Sequence, residues 1–136
     1  WGVVFGLIIA TPLLAVGGST LTTTVNLLFG TLSAGALLAY LVFVMPLAET
    51  LFFRGLLQDQ RPFWLVGLMS SLWGVVLFFP VLDFQRYPAV VAIIGVALVM
   101  MNLTYSYVRQ RSGLAAAWIC QIVVNLVLLF VPFVSQ

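Results

Sequence analysis

The chain has 136 residues, of which 64% are hydrophobic and only 6% charged, and its mean hydropathy is +1.25. A soluble domain of this size carries about a quarter charged residues, so this composition excludes a water-soluble globular protein. The net charge of +2 is too small and too scattered to indicate a nucleic-acid partner. The sequence therefore predicts an integral membrane protein whose main partner is the lipid bilayer.

Five apolar segments are long enough, or nearly long enough, to cross a bilayer core that needs about 20 residues. In chain order they are residues 1–16, 33–57, 63–79, 89–108 and 114–134. The first is short and the chain starts at Trp1, so we expect residues to be missing before it. Barrel strands are not expected, because the segments do not alternate apolar and polar residues. We predict an all-α, polytopic membrane bundle of about five transmembrane helices, forming a single domain over 1–136.

The links between these segments carry most of the charges. They are residues 17–32, rich in glycine and threonine, and 58–62, 80–88 and 109–113. Alternating helices place the second and fourth links on one side of the bundle, here called face A, and the other two on the opposite side, face B. Face A carries Arg61, Arg109 and Arg111, whereas face B carries Arg86. Positive charge favours the cytoplasmic side, so we expect face A to be cytoplasmic.

Two of the predicted helices carry polar side chains deep in their spans. Glu49, the only glutamate, lies roughly 13 Å below face A at the helical rise of 1.5 Å per residue. Gln121 lies at about 12 Å on the same basis, and Asn125 follows one turn later on the same helix face. An ionisable residue at this depth costs at least ~2.5 kcal/mol, which indicates a functional site.

We therefore predict a polar pocket that opens toward face A. Its members are Glu49, Thr50 and Arg54 on the second segment, Trp73 on the third, and Gln121 and Asn125 on the fifth. Glu49 and Arg54 are five residues apart and point in different directions on a helix, so we expect each to have a partner on a neighbouring helix.

Other buried polar residues are interpreted as clasps between helices, each contributing about 0.6–2 kcal/mol. These are Ser70, Ser71, Asn102 and Thr104. The lone cysteine, Cys120, lies in an apolar run and is expected to be a buried, inert thiol.

Three short motifs follow one another along the chain. Residues 49–55 are Glu-Thr-Leu-Phe-Phe-Arg-Gly, residues 70–77 are Ser-Ser-Leu-Trp-Gly-Val-Val-Leu, and Ser112-Gly113 precedes Gln121-Ile-Val-Val-Asn125. In this order they resemble the CPBP family, which comprises the CAAX prenyl proteases of the Rce1 type and the bacteriocin-processing or self-immunity (Abi) proteins. The resemblance covers residues 47–129 and implies an Rce1/CPBP-like core of membrane helices.

The departures from the family motifs concern the groups that carry the family's chemistry. The family has a second glutamate where this chain has Thr50, and histidines where it has Leu77 and Gln121, while Glu49, Arg54 and Asn125 match. A glutamate and histidines are thought to activate a water for peptide hydrolysis in this family, which requires groups that titrate or a bound metal. Leucine and glutamine do neither. With no histidine in the chain, we predict no metal site and no intact catalytic residues.

Three interpretations remain. The first is a catalytically inactive pseudoprotease that acts as a structural, binding or assembly subunit of a larger membrane complex, together with other membrane subunits. The second is an active, glutamate-dependent intramembrane endopeptidase of the CAAX prenyl or leader-peptide type. The third is a small transporter-like or lipid-binding bundle that only mimics the motifs. No cofactor is predicted, although a bound lipid or pigment would suit the apolar spans, and a bacterial inner, thylakoid or organellar membrane suits the resemblance.

Overall fold

The computed structural model describes residues 1–79 and 88–135, and the regular structure in these residues is entirely helical. Five helices follow in chain order: α1 (Gly2–Phe29), α2 (Ala34–Leu57), α3 (Phe63–Phe78), α4 (Pro88–Ser112) and α5 (Leu114–Val134). All but α3 are long and apolar enough to cross a membrane. With 16 residues, α3 is about 24 Å long, close to the ~30 Å of a bilayer core. The predicted all-α membrane bundle is confirmed.

Helix α1 is longer than predicted, because the glycine- and threonine-rich residues 17–26 are helical and do not form a link. The hydroxyls of Thr22, Thr23 and Thr24 each donate to the carbonyl four residues earlier, at 2.8–3.1 Å, so these polar groups are paired within the helix. Helix α1 then continues for about one more helical turn to Phe29, which is buried against the start of α2. The composition of this segment suggested a loop, but side-chain pairing and packing make it helical.

The remaining links are partly as predicted. Helix α2 ends at Leu57 and α3 begins after Pro62, which confirms the 58–62 turn. The predicted turn at 109–113 is wrong, because α4 continues through Ser112 and the break is confined to Gly113. Gly113 has φ = 89°, a left-handed conformation that glycine adopts without a steric penalty. The 80–88 link, with Asp83 and Arg86, lies outside the described residues except for Pro88.

Ring contacts show which helix ends share a side of the bundle. Tyr107 near the end of α4 contacts Phe5 at the start of α1 and Phe63 at the start of α3, each with ring centroids 6.2 Å apart. Helices α1, α3 and α5 therefore start on face A, while α2 and α4 end there. The alternation of helix direction that defined face A is confirmed.

Helices α1 and α5 run parallel and lie in close contact through small residues of α1. A Cβ added to Gly2 would come within 2.3 Å of the Ala116 carbonyl oxygen, and one on Gly6 within 2.8 Å of the Val123 side chain. One turn later, Ala10 is fully buried in a cluster with Cys120, whose thiol is free and buried. Small residues at four-residue spacing let membrane helices approach closely and gain van der Waals contact. This contact holds α1 against the helix that carries Gln121 and Asn125.

We expect Gly6→Ala to lower the free energy of unfolding by roughly 1–2 kcal/mol, within the range for overpacked cores, because the new methyl group would push α5 away. Gly18→Ala is the matched control on the same helix, since an added Cβ there has no neighbour within 4 Å. That control should leave stability unchanged or slightly raised. Reversible unfolding in mixed detergent micelles measures both, and equal effects of the two variants would contradict the close α1–α5 contact.

Helix α2 departs from regular α-helical winding at the segments that matter for the site. Residues Tyr40–Val44 and Thr50–Leu57 are π-helical, on either side of a short α-helical stretch that contains Pro46. A proline has no N–H to donate and crowds the preceding turn, which a wider turn before it relieves. The second segment buries Thr50, Phe53 and Arg54 on the inside of the bundle.

Candidate functional site

Glu49 is joined to α5 by a chain of hydrogen bonds. The side-chain amide of Gln121 donates to Glu49 Oε2 at 2.5 Å, and the carbonyl oxygen of Gln121 accepts from the Thr50 hydroxyl at 2.8 Å. Gln121 and Thr50 are both buried, with 1% and 2% of their surface exposed. The two ends of one glutamine thus connect to two successive residues of α2, as expected for residues at equal depth on facing helices.

Arg54 forms a second connection, toward α3 and α4. Its Nη2 donates to Asn102 Oδ1 at 2.5 Å, and the same oxygen accepts from the Ser70 hydroxyl at 2.7 Å. Asn102 Nδ2 in turn donates to the Leu98 carbonyl at 3.0 Å. The guanidinium is fully buried and lies 5.3 Å from the centre of the Tyr105 ring, a cation–π distance. One asparagine on α4 therefore joins three helices.

Glu49 and Arg54 do not form an ion pair with each other; the ion pair found among the described residues joins Arg109 to Asp59. Each of the two charged residues instead has its hydrogen-bond partner on another helix, which confirms the prediction from their spacing. The guanidinium atoms Nε and Nη1 of Arg54 are buried and make no hydrogen bond with any residue that the structure describes.

The other two predicted pocket residues differ in their placement. Asn125 is buried and donates to the Leu41 carbonyl of α2 at 3.3 Å, so it contacts α2 two turns before Glu49. Trp73 does not join the site, which corrects the prediction. It is 48% exposed, because α3 turns the face carrying Gly67, Ser70 and Gly74 toward α4. Gly67 packs so tightly there that an added Cβ would lie 2.8 Å from Leu103.

A cavity of about 230 Å³ lies between the helices and is lined mainly by apolar side chains. Seven polar residues line it, namely Thr20, Thr24, Glu49, Ser70, Asn102, Gln121 and Asn125, and Tyr105 adds its phenol. Thr50 and Arg54 do not line it but bond to residues that do. The predicted polar pocket is therefore an apolar cavity lined by all five helices. Its polar wall is formed by α2 and α5 on one side and by α3 and α4 on the other.

The cavity does not open toward face A as predicted. No residue of the 58–62 turn or of 109–113 lines it. The α2–α4 contact on that side is closed by Arg109, whose Nε donates to the Arg54 carbonyl at 3.0 Å and whose Nη2 pairs with Asp59 at 2.6 Å. Gln58 adds a bond to the Ser106 carbonyl at 2.6 Å. These contacts lie between the cavity and the face A surface.

The cavity comes nearest to an outer groove between α1 and α4. A shallow apolar groove on the outside shares three of its lining residues with the cavity, namely Leu13, Ile93 and Ala97. Ile93 is 63% exposed, as expected for a residue that faces lipid. These shared residues form a seam between the two helices, with the cavity on one side and the groove that faces the bilayer core on the other.

The chemistry available in the cavity is limited. No group of three or more His, Cys, Asp or Glu side chains that could hold a metal ion occurs among the described residues. Gln121 stands beside Glu49 at the position where the family motif has a histidine, but it cannot accept and release a proton near neutral pH. Leu77, at the other histidine position, is apolar and 46% exposed on α3. The cavity can bind groups that form hydrogen bonds. Its carboxylate, Glu49, is positioned by Gln121, which does not titrate, and not by a second titratable side chain.

Three residues belong to the site beyond those predicted for it. Ser70 and Asn102 were interpreted as helix clasps, which they are, but they also line the cavity; Tyr105 lies beside them and covers Arg54. Asn102 could have been found from the rule that a buried arginine needs an acceptor within reach of its long side chain. Tyr105 carries no comparable signal in the sequence.

A sequence model of one protein family, described as Rce1-like type II CAAX prenyl endopeptidases, matches residues 31–127. The match includes all three motifs from Glu49 to Asn125. No curated protein and no solved structure matches the chain.

Proposed function

The chain belongs to the family of Rce1-like type II CAAX prenyl endopeptidases, and we propose that it is a catalytically inactive member of this family. In this proposal it acts as a structural, binding or assembly subunit of a larger membrane complex. The observation that carries the proposal is the bonding of Gln121. Both ends of its amide are occupied, one by Glu49 and one by Thr50, so that the cavity's carboxyl group is held by a side chain that cannot transfer protons.

Loss of proton transfer would account for loss of proteolysis. A positioned general acid or base contributes about 10²–10⁴-fold to the rate of a reaction. The two positions where the family motifs have histidine are occupied by Gln121 and Leu77 in this chain. A shared fold does not imply a shared reaction, so belonging to this family does not by itself assign an activity to the chain. The interhelical bonds of Glu49 and Arg54 supply a different reason for these charges to be in the membrane, which is to hold α2 against its neighbours.

The competing proposal is an active endopeptidase that uses Glu49 alone. One observation favours it: Glu49 lines the cavity and, within the described part of the chain, is bonded through Oε2 alone, so that Oε1 can hold a water. The seam between α1 and α4 would then admit a substrate from the bilayer.

Incubation of the purified protein with prenylated CAAX peptides and with leader peptides tests the two proposals. We expect no cleavage above a sample without protein, and no difference between the wild type and Glu49→Gln. An active family member serves as the positive control. Cleavage by the wild type that Glu49→Gln abolishes would overturn the inactive assignment. Migration on a native gel after mild solubilisation tests the subunit role, for which we expect a stoichiometric partner.

The sidedness proposal rests on the arginines of face A. Arg61, Arg109 and Arg111 lie at or beyond the helix ends there, and positive residues favour the cytoplasmic side of bacterial and organellar membranes. A cysteine placed at Gln60 in a Cys120→Ala background, labelled from either side of sealed vesicles, should react from the cytoplasmic side. Labelling from the opposite side alone would show that face A is not cytoplasmic.

A further inference from the structure

The cavity holds hydrogen-bonding atoms that the protein itself leaves unused. Among the described residues, Glu49 Oε1 accepts no hydrogen bond, and Asn125 uses its side-chain nitrogen on the Leu41 carbonyl, which leaves its Oδ1 atom free. The two residues line the cavity on facing helices, with Asn125 about one helical turn deeper than Glu49 and Gln121. Both free atoms are acceptors, so a molecule that fits them must donate hydrogen bonds. The hydroxyls of Thr20 and Tyr105 also line the cavity, make no hydrogen bond among the described residues, and can donate or accept, which suits a ligand with hydroxyl groups.

The charges around the cavity limit the head group further. Glu49 disfavours an anionic head, and Arg54, which touches the cavity residues Asn102 and Tyr105, disfavours a cationic one. An uncharged head with more than one hydroxyl satisfies both acceptors and meets no like charge.

The rest of the molecule must be apolar and must come from the bilayer. Apart from the polar wall, the lining is aliphatic, and it continues through Leu13, Ile93 and Ala97 to the lipid-facing groove. An acyl chain lying in this seam would keep its end in the bilayer while its head reaches the polar wall. The cavity measures about 230 Å³, a volume that suits one chain better than two.

We propose that the cavity binds a single-chain lipid with an uncharged polyhydroxyl head, the chemistry of a monoacylglycerol, taken up from the bilayer between α1 and α4. This rests on the binding role in the proposed function and specifies its ligand. Glu49 and Asn125 accept hydrogen bonds from the head, and the α1–α4 seam holds the chain. No covalent step is involved.

Binding of monooleoylglycerol to the full chain in phosphatidylcholine nanodiscs tests the proposal, with bound lipid counted by native mass spectrometry. We expect saturable binding of one molecule. Asn125→Leu and Glu49→Leu should each weaken it about tenfold, as loss of one hydrogen bond to the head would. Ala97→Phe, which fills the seam without touching the polar wall, should weaken it at least as much. Val76→Phe on the exposed side of α3 is the control and should leave binding unchanged.

Two comparisons separate this site from general lipid association. Oleate and oleylamine, with the same chain and charged heads, should bind at least about tenfold more weakly than monooleoylglycerol. Equal binding of all three lipids, or binding that Ala97→Phe leaves unchanged while its thermal stability is normal, would overturn the proposal. Peptide cleavage is measured in a separate experiment. A failure of the lipid-binding proposal therefore leaves the inactive assignment unchanged, and cleavage of peptides would leave the lipid-binding result unchanged.

Discussion

Asn102→Leu is expected to lower the free energy of unfolding by about 3 kcal/mol, because it leaves two partners on two other helices without an acceptor. The side-chain Oδ1 of Asn102 accepts from Arg54 at 2.5 Å and from Ser70 at 2.7 Å. Ordinary interhelical hydrogen bonds average only about 0.6 kcal/mol and reach about 1.7. Here, however, one donor is a fully buried guanidinium, two of whose nitrogens already lack a hydrogen bond among the described residues. A buried charged group without a partner costs more than a neutral one.

The double variant Arg54→Met, Asn102→Leu makes this prediction specific. If the cost of Asn102→Leu comes from the stranded guanidinium, removing both partners should recover most of it, since apolar pairs of similar shape replace buried polar pairs at little cost. Thr104→Val on the same helix is the control, because the Thr104 hydroxyl makes no hydrogen bond in the described structure. Unfolding in mixed micelles gives the three values. A double variant less stable than Asn102→Leu would show that the arginine stabilises the bundle by other contacts.

Depth along a helix was the most informative feature of the sequence for the site. Counting residues from the 58–62 turn and from Gly113 placed Glu49 and Gln121 at similar depths, and they are hydrogen-bonded. The estimate holds because both helices start or end at sharp, recognisable breaks on the same face. The estimate gives the depth of the backbone, so it suits side chains that extend perpendicular to the helix axis toward a neighbouring helix.

The same arithmetic misses the Arg54–Asn102 contact. Arg54 lies about 6 Å and Asn102 about 16 Å from their respective helix ends on face A, so their backbones are at different depths. The long arginine side chain bridges the difference. Side-chain reach and direction therefore have to be included for arginine, even where helix ends are well defined.

Rotation about the helix axis is the other quantity that a single sequence specifies poorly in a membrane. Helix α3 has apolar side chains on all sides, so its hydrophobic pattern does not distinguish the inner face from the lipid-facing one. Trp73 was assigned inward by depth alone and is half exposed. The small residues Gly67 and Gly74 would have been better guides, because close helix contacts in membranes select small side chains.

The extent of α1 shows a related limit. Glycine and threonine are weak helix formers in water, and residues 17–26 therefore suggested a link. Inside a bilayer every backbone group must be bonded within the protein, so helix is strongly favoured whatever the local propensity. The threonine hydroxyls that would compete for backbone groups in water instead bond to carbonyls of their own helix.

Gln121→Leu is expected to lower the free energy of unfolding by about 2–3 kcal/mol, because it leaves both Thr50 and Glu49 without their partner on α5. Gln121→His is the informative comparison, since a neutral imidazole can accept from the Thr50 hydroxyl and donate to Glu49. We expect this variant to stay within about 1 kcal/mol of the wild type, the size of one interhelical hydrogen bond.

The histidine variant also separates the structural use of this position from the catalytic one. It restores a titratable group beside Glu49 at a family position, but Leu77 remains apolar and half exposed, so we expect no cleavage of prenylated or leader peptides. Unfolding in mixed micelles and the peptide assay measure the two properties on the same preparation. If Gln121→His is as unstable as Gln121→Leu, the bridge between α2 and α5 depends on the amide itself. If it cleaves peptides, loss of this one histidine is enough to explain an inactive family member.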